Sequence, residues 1–335
     1  MNSPELQTAV NLELLDEIHL ASQVMSEPDS PVLGTELYRD DLLSDRYDAD
    51  IWLASELHQV IKAYKIRGAY NFLGSLSDDQ RSRGVVTASA GNHGQGIALS
   101  SDRTGVASHV FMPQNTPYNK VGLVASLGGE NTQVTLVGDT FDETQEHALK
   151  FSEATGAVYA PPFNDLKVIA GQGTWGLEIA QELPNIDLVM CPVGGMGLLA
   201  GTSTAVKSEQ PDARVVGVEP AAASSLGLAY ANGSPSSLAS IDTFVDGAAV
   251  KRVGEIPFRL ASHLVDDLVT VTNQEVRQAT TDLWERPEPV RAELAGALSV
   301  AGLHKHAEFV RGKTVVCMVS GGNLSPERYK AEVRV

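Results

Sequence analysis

Short apolar runs rich in valine alternate along this chain with segments whose apolar residues recur at helical spacing. Six runs read as strands: 84–89, 109–113, 133–138, 187–192, 214–219 and 314–320. They end at or beside glycine, proline or serine, residues that stop a pleated run. The helical pattern fills 140–155, 173–182 and 198–209. Repeated β-then-α order predicts an α/β fold with a mostly parallel, doubly wound sheet and helices on both faces. Residues 3–25 read as one amphipathic helix, with Ser3 as N-cap and Pro4 in the first turn. Residues 26–35 then form a loop. No linker rich in proline and serine divides the chain, so two lobes would have to be interwoven.

Composition narrows the possibilities. The chain has 335 residues, enough for two α/β lobes. Its net charge of −17 disfavours nucleic acid and anionic membranes as partners, because both recruit clustered lysine and arginine. Cys191 and Cys317 both lie in apolar strand-like runs and read as buried small hydrophobes. No apolar run approaches membrane-spanning length and the first residues carry no signal-peptide pattern, so a cytoplasmic location is expected.

Three glycine turns stand out, because each follows a strand and opens a helix: "TASAGNHGQG" (87–96), "CPVGGMGLLAG" (191–201) and "MVSGGN" (318–323). In a parallel sheet, ligands gather at the carboxyl ends of strands. Helix N-termini there offer unpaired N–H groups to anions. The second turn also resembles part of a dinucleotide fingerprint, with Glu219 about twenty residues on as a ribose-binding acid. Its third glycine, Gly201, comes one place late for that pattern. A compact phosphate cradled by successive N–H groups fits 194–197 better.

Taken with "KAYKIRGAYN" (62–71), these turns resemble the fold-type-II pyridoxal-phosphate family, threonine dehydratase and serine dehydratase branch. The matching elements are Ala63-Tyr64-Lys65-Ile66-Arg67-Gly68-Ala69, then 89–96, 194–197 and 320–323. Further similarity lies in "PPFNDLKVIAGQGT", "FVDGAAV" and "ELAGALSVAGL". The resemblance implies a two-lobed fold like that of the tryptophan synthase β chain. Residues 1–55 and 156–335 would form the large cofactor-binding domain, and 56–155 a small domain closing over substrate. It implies pyridoxal 5'-phosphate as cofactor and a homodimer.

Residue roles follow from the same resemblance. Lys65 would carry the cofactor as a Schiff base and then act as base at the substrate Cα, which requires a neutral amine. Gly194, Gly195, Met196, Gly197 and Leu198 would hold the phosphate, Asn92 the ring hydroxyl and Ser320 the ring nitrogen. Ser89, Ala90, Gly91, Asn92 and His93 would hold the substrate carboxylate, with His93 given no acid–base duty. Tyr64, Phe163, Gly247 and Glu293 would lie nearby. The implied reaction is α,β-elimination from L-threonine, L-serine or both, giving a 2-oxo acid and ammonia.

The chain also departs from the family pattern. Ala54-Ser55-Glu56-Leu57 keeps only the glutamate of the usual "K-R-E-D", Ala63 replaces a serine, and Val60 a proline. "E-P-A-G" becomes Glu293-Leu294-Ala295-Gly296, and Met196 replaces a glycine, where a side chain crowds the loop unless φ is negative. These changes leave open a lyase for a different β-substituted amino acid, or a non-catalytic binding homologue. Ala90 stands where racemases carry a second serine, which disfavours racemisation. Glu219 is followed six residues later by Ser225, not the aspartate of metal-binding relatives, so no metal is expected and Glu219 reads as paired with a surface base. Only twelve residues follow "SGGN", so no isoleucine-binding regulatory domain is expected.

Overall fold

The computed structural model describes residues 4–334. The N-terminal helix runs Pro4–Met25; its expected cap, Ser3, lies outside the described residues. Leu14, Ile18, Ala21 and Met25 form its buried stripe, at the spacing of one helical face. That stripe packs against the helices Leu166–Glu182 and Gly197–Glu209.

Among the described residues ten strands form two sheets. They are β1 (Glu36–Arg39), β2 (Asp50–Ser55), β3 (Val85–Ala88), β4 (Ser108–Met112), β5 (Thr132–Leu136), β6 (Val158–Tyr159), β7 (Leu188–Pro192), β8 (Arg214–Pro220), β9 (Asp267–Val271) and β10 (Thr314–Val319). The larger sheet has the order β1-β2-β10-β7-β8-β9 and the smaller β5-β4-β3-β6. All neighbours pair in parallel except β1 with β2. The chain therefore leaves the larger sheet after β2, builds the smaller one, and returns at β7. The small sheet takes in β6, just past residue 155.

The six strands expected from the valine runs are all present. Four more are not obvious in the sequence. β1 and β9 are edges, exposed enough to tolerate polar residues, and β6 is only two residues long. β2 ends at Ser55 and runs into Glu56 without a glycine turn. The helix expected over 173–182 begins earlier, at Leu166, with Asp165 accepting from the N–H groups of Lys167 and Val168. Gly171, Gly173 and Gly176 lie inside it and mask its helical pattern, because glycine is a poor helix former. They serve close packing instead. A Cβ on Gly171 would stand 2.5 Å from the carbonyl oxygen of Arg67, and one on Gly176 2.9 Å from the Cα of Thr202.

This helix also anchors a buried ionic cluster. Arg67, fully buried, donates to both oxygens of Glu56 and both of Glu178, and to Thr35, Thr174 and the Leu33 carbonyl. Saturating the guanidinium this way offsets the desolvation that would otherwise forbid it. It fixes the first turn of the helix Lys65–Gly74 to both neighbouring segments.

Candidate active site

Lys65 heads the helix Lys65–Gly74, directly after Tyr64. The residues before it run antiparallel to the turn after β10. Ala63 bridges Gly321, the Tyr64 N–H donates to the Ser320 carbonyl (3.1 Å), and the Gly322 N–H donates to the Lys62 carbonyl (2.8 Å). Lys65 Nζ donates to the Pro162 carbonyl at 2.8 Å and stands 5.2 Å from the centre of the Tyr64 ring. Burial pulls its pKa down to about 8, since apolar surroundings disfavour the ammonium.

The turn after β7 leads into the helix Gly197–Glu209. Phe163 packs directly on its backbone: a Cβ on Gly195 would fall 2.2 Å from the ring, and one on Gly197 2.9 Å from the Phe163 Cβ. Met196 does not keep the negative φ that the sequence reading required. Its φ is 74°, in the left-handed region, and its side chain is buried among the apolar core of the larger lobe. Burial of a methionine offsets a backbone strain of about 1–2 kcal/mol.

The turn after β3 opens the helix Asn92–Thr104, with the Gly91 N–H donating to Ser89 Oγ at 3.2 Å. His93 is buried and its Nε2 donates to the Ala160 carbonyl at 3.0 Å. Burial, reinforced by the Lys65 charge, lowers its pKa to about 3. It stays neutral at physiological pH.

These pieces meet in one cavity of about 970 Å³ between the two sheets. Its wall contains every site residue expected from the sequence: Tyr64 and Lys65, the turn 89–93, Phe163, the turn 194–198, Gly247, Glu293 and Ser320. Ser320 is buried, with Oγ 3.4 Å from the Ala295 carbonyl. Gln95 and Asn323 also line it, and their positions inside "GNHGQG" and "SGGN" are the signal that could have found them. Asp246, Lys120, Lys251 and Arg252 line it too, from segments without a motif. Glu219 requires a correction. It is buried and, among the described residues, forms no ion pair; it accepts from Ser224 Oγ and from the N–H groups of Leu226 and Gly227 (both 3.0 Å), capping the helix Ser225–Asn232.

A sequence profile described as "Pyridoxal-phosphate dependent enzyme" matches residues 29–321. The chain belongs to the pyridoxal-phosphate dependent enzyme family. Among its relatives, "L-threonine dehydratase biosynthetic IlvA" of Halalkalibacterium halodurans is 39% identical over 310 residues, 92% of this chain and 74% of the relative. The protein of that name from Bacillus subtilis is 43% identical over 293 residues, 87% of this chain and 69% of the relative. Among solved structures, the processed form of threonine deaminase isoform 2 from Solanum lycopersicum superposes with a TM-score of 0.89 at 37% identity, covering 99% of this chain and 93% of that one. Maize serine racemase gives 0.85 at 29% identity, covering 94% and 95%.

The fold is thus that of the fold-type-II pyridoxal-phosphate enzymes, and the residues of the cavity suit the cofactor. A primary amine with a lowered pKa is available to an aldehyde. A turn bare of side chains at three of its four positions precedes a helix N-terminus, where a phosphate finds N–H donors. A second such N-terminus, at Asn92, opens on the same cavity.

Proposed function

We propose that this member of the pyridoxal-phosphate family is an ammonia-lyase that eliminates water from L-threonine, and from L-serine, to release a 2-oxo acid and ammonia. The observation that carries the reading is the Lys65 amine, partly neutral near pH 8 and held inside the cavity that the glycine turn also lines. Identity of 39% and 43% to threonine dehydratases names the substrate.

When bound, pyridoxal phosphate supplies an aldehyde for the substrate amine and a conjugated ring that accepts the electron pair left at Cα. The chain supplies the rest. Gly194, Gly195, Met196 and Gly197 would hold the phosphate by backbone N–H groups, Asn92 the ring hydroxyl and Ser320 the ring nitrogen. The N–H groups of the 89–93 turn would hold the substrate carboxylate. Lys65 Nζ takes the Cα proton, and the Pro162 carbonyl accepts a hydrogen bond from the resulting ammonium. Closure of the small lobe would exclude water.

The cavity's charges favour a substrate with an uncharged side chain. Apart from Lys65, its cationic lining residues already face carboxylates: Lys120 with Asp246 at 3.7 Å, Lys251 with Asp142 at 2.5 Å, and Arg252 with Glu255. The homodimer belongs to the same proposal. Leu12 and Leu20, exposed and eight residues apart on the N-terminal helix, give such a contact apolar surface. A cytoplasmic location belongs to it too, supported by two free buried cysteines.

The purified protein is expected to release 2-oxobutanoate from L-threonine and pyruvate from L-serine, but no oxaloacetate from β-hydroxyaspartate. In Lys65→Ala, 2-oxo acid release and the borohydride-sensitive visible band should both disappear. A chain that binds cofactor through Lys65 but yields no 2-oxo acid from any β-substituted amino acid would be a binding protein instead.

A further inference from the structure

The side-chain amide of Asn92 is held at both ends. Its Oδ1 accepts from Asn323 Nδ2 at 2.7 Å, and its Nδ2 donates to Glu293 Oε1 at 2.7 Å. The second hydrogen of Asn323 Nδ2 is occupied by the Ile61 carbonyl at 2.8 Å, and the Asn323 backbone N–H donates to Glu293 Oε2 at 3.1 Å. A flipped Asn92 would set N–H against N–H and oxygen against carboxylate, so the two neighbours admit one orientation. Glu293 itself is fixed by its N–H donating to the Gly321 carbonyl at 2.9 Å. A Cβ on Gly321 would stand 2.7 Å from Glu293 Oε1, so the glycine makes room for the carboxylate. One Asn92 N–H is left over for a ligand in the cavity.

We propose that Glu293 is a positioning residue for the cofactor, fixing which end of the Asn92 amide faces it and releasing that hold when the carboxylate takes a proton. The proposal rests on the reading that Asn92 meets the cofactor. As a carboxylate, Glu293 accepts from both Asn92 and Asn323. As an acid it must donate from one oxygen, and one of those two partners loses its acceptor. The groups around it set the range. Burial raises its pKa most, and the Asp246 charge from the 242–250 loop adds to this; the donors Asn92 and Asn323, and Lys120 from the helix Tyr118–Gly128, pull it back, leaving it at about 7. The neutral Tyr64 hydroxyl also senses Glu293, and Asp246 is itself paired with Arg328 at 3.0 Å. The hold on Asn92 is therefore half lost near pH 7, strengthens as pH rises above it and weakens below it.

The test uses the holoenzyme and reads cofactor affinity and the cofactor's visible absorption from pH 6 to 8. Glu293→Gln, which does not titrate and, like the protonated acid, accepts with one oxygen only, is expected to hold the cofactor at pH 8 as loosely as the parent does at pH 6 and to lose the absorption change across that range. Glu293→Ala should release the cofactor about tenfold more readily, the loss of about one hydrogen bond. The double variant with Asn92→Ala should bind no more weakly than Asn92→Ala alone. An unaltered absorption change in Glu293→Gln, or additive losses in the double variant, would overturn the proposal. Unchanged affinity in Asn92→Ala by itself would remove the reading of Asn92 beneath it, while leaving the elimination reaction standing.

Discussion

Lys65 shows how one side chain is prepared by its surroundings. Among the described residues its amine has a single hydrogen-bond partner, the Pro162 carbonyl, and no carboxylate beside it. Burial therefore wins, and the ammonium is disfavoured. In the unfolded chain the amine keeps its ordinary value of 10.5, so between about 8 and 10.5 the unfolded state binds more protons. Stability contributed at this position therefore rises with pH across that window, and below pH 8 the full penalty of the buried charge is present. Reductive methylation of Lys65 in the cofactor-free protein should show an inflection near pH 8, well below that of exposed lysines. An inflection near 10.5 would mean that the amine is solvated. The motif around Lys65 was legible from the sequence, as were Asn92, Ser320 and the glycine cradle. Met196 was less so. Sequence alone weighs a side chain against a left-handed φ; it does not show the core site that receives that side chain.

Elements are tied together here by glycines that a propensity scale counts against helices. Gly171 is the clearest case. Its absent Cβ leaves room for the backbone of Arg67 and Gly68, one turn from Lys65. Gly171→Ala should gain about 1 kcal/mol of helix propensity and lose about 1–3 kcal/mol to overpacking. The expected result is a lower denaturation midpoint together with reduced 2-oxo acid release. The contrasting change is Gly122→Ala, in the exposed helix Tyr118–Gly128 with open space around it, which should raise the midpoint. Strands followed by glycine turns were readable because each carries both a β-rich run and a stop. β1, β2 and β9 were not, because edge position or the lack of a glycine turn removes one of those signals. Glu219 illustrates a different blindness. This buried acid is satisfied by backbone N–H groups, and which helix end reaches it depends on tertiary packing.

At the scale of the whole molecule, the two sheets face each other across the cavity and ion pairs span the gap. Lys251 beside the large sheet meets Asp142, at the start of the helix Phe141–Thr155 that packs on the small one. Both partners are about half exposed, so the pair is worth no more than about 1 kcal/mol. Lys251→Ala should leave the melting temperature nearly unchanged while raising KM for threonine up to about fivefold at low salt. High salt should erase the difference from the wild type. A large drop in melting temperature would mean that the pair braces the fold and does not serve closure. Two lobes were expected from the family resemblance, and their interweaving from the lack of a dividing linker. Which residues would bridge them was not, because surface charges carry no spacing signal.

The stretch from Ala160 to Asn164 has a consequence for timing. It begins tied to β3, through Thr87 and the Val86 carbonyl, and ends with Asn164 accepting from Ile256 on the far side. Along the way it accepts from His93 and from Lys65 Nζ, and lays an aromatic ring on the glycine turn after β7. A displacement of the smaller sheet would pull on this tether and take the nitrogen from its carbonyl into water. Ammonium would then be favoured, and the proposed proton abstraction would wait for the carbonyl to return.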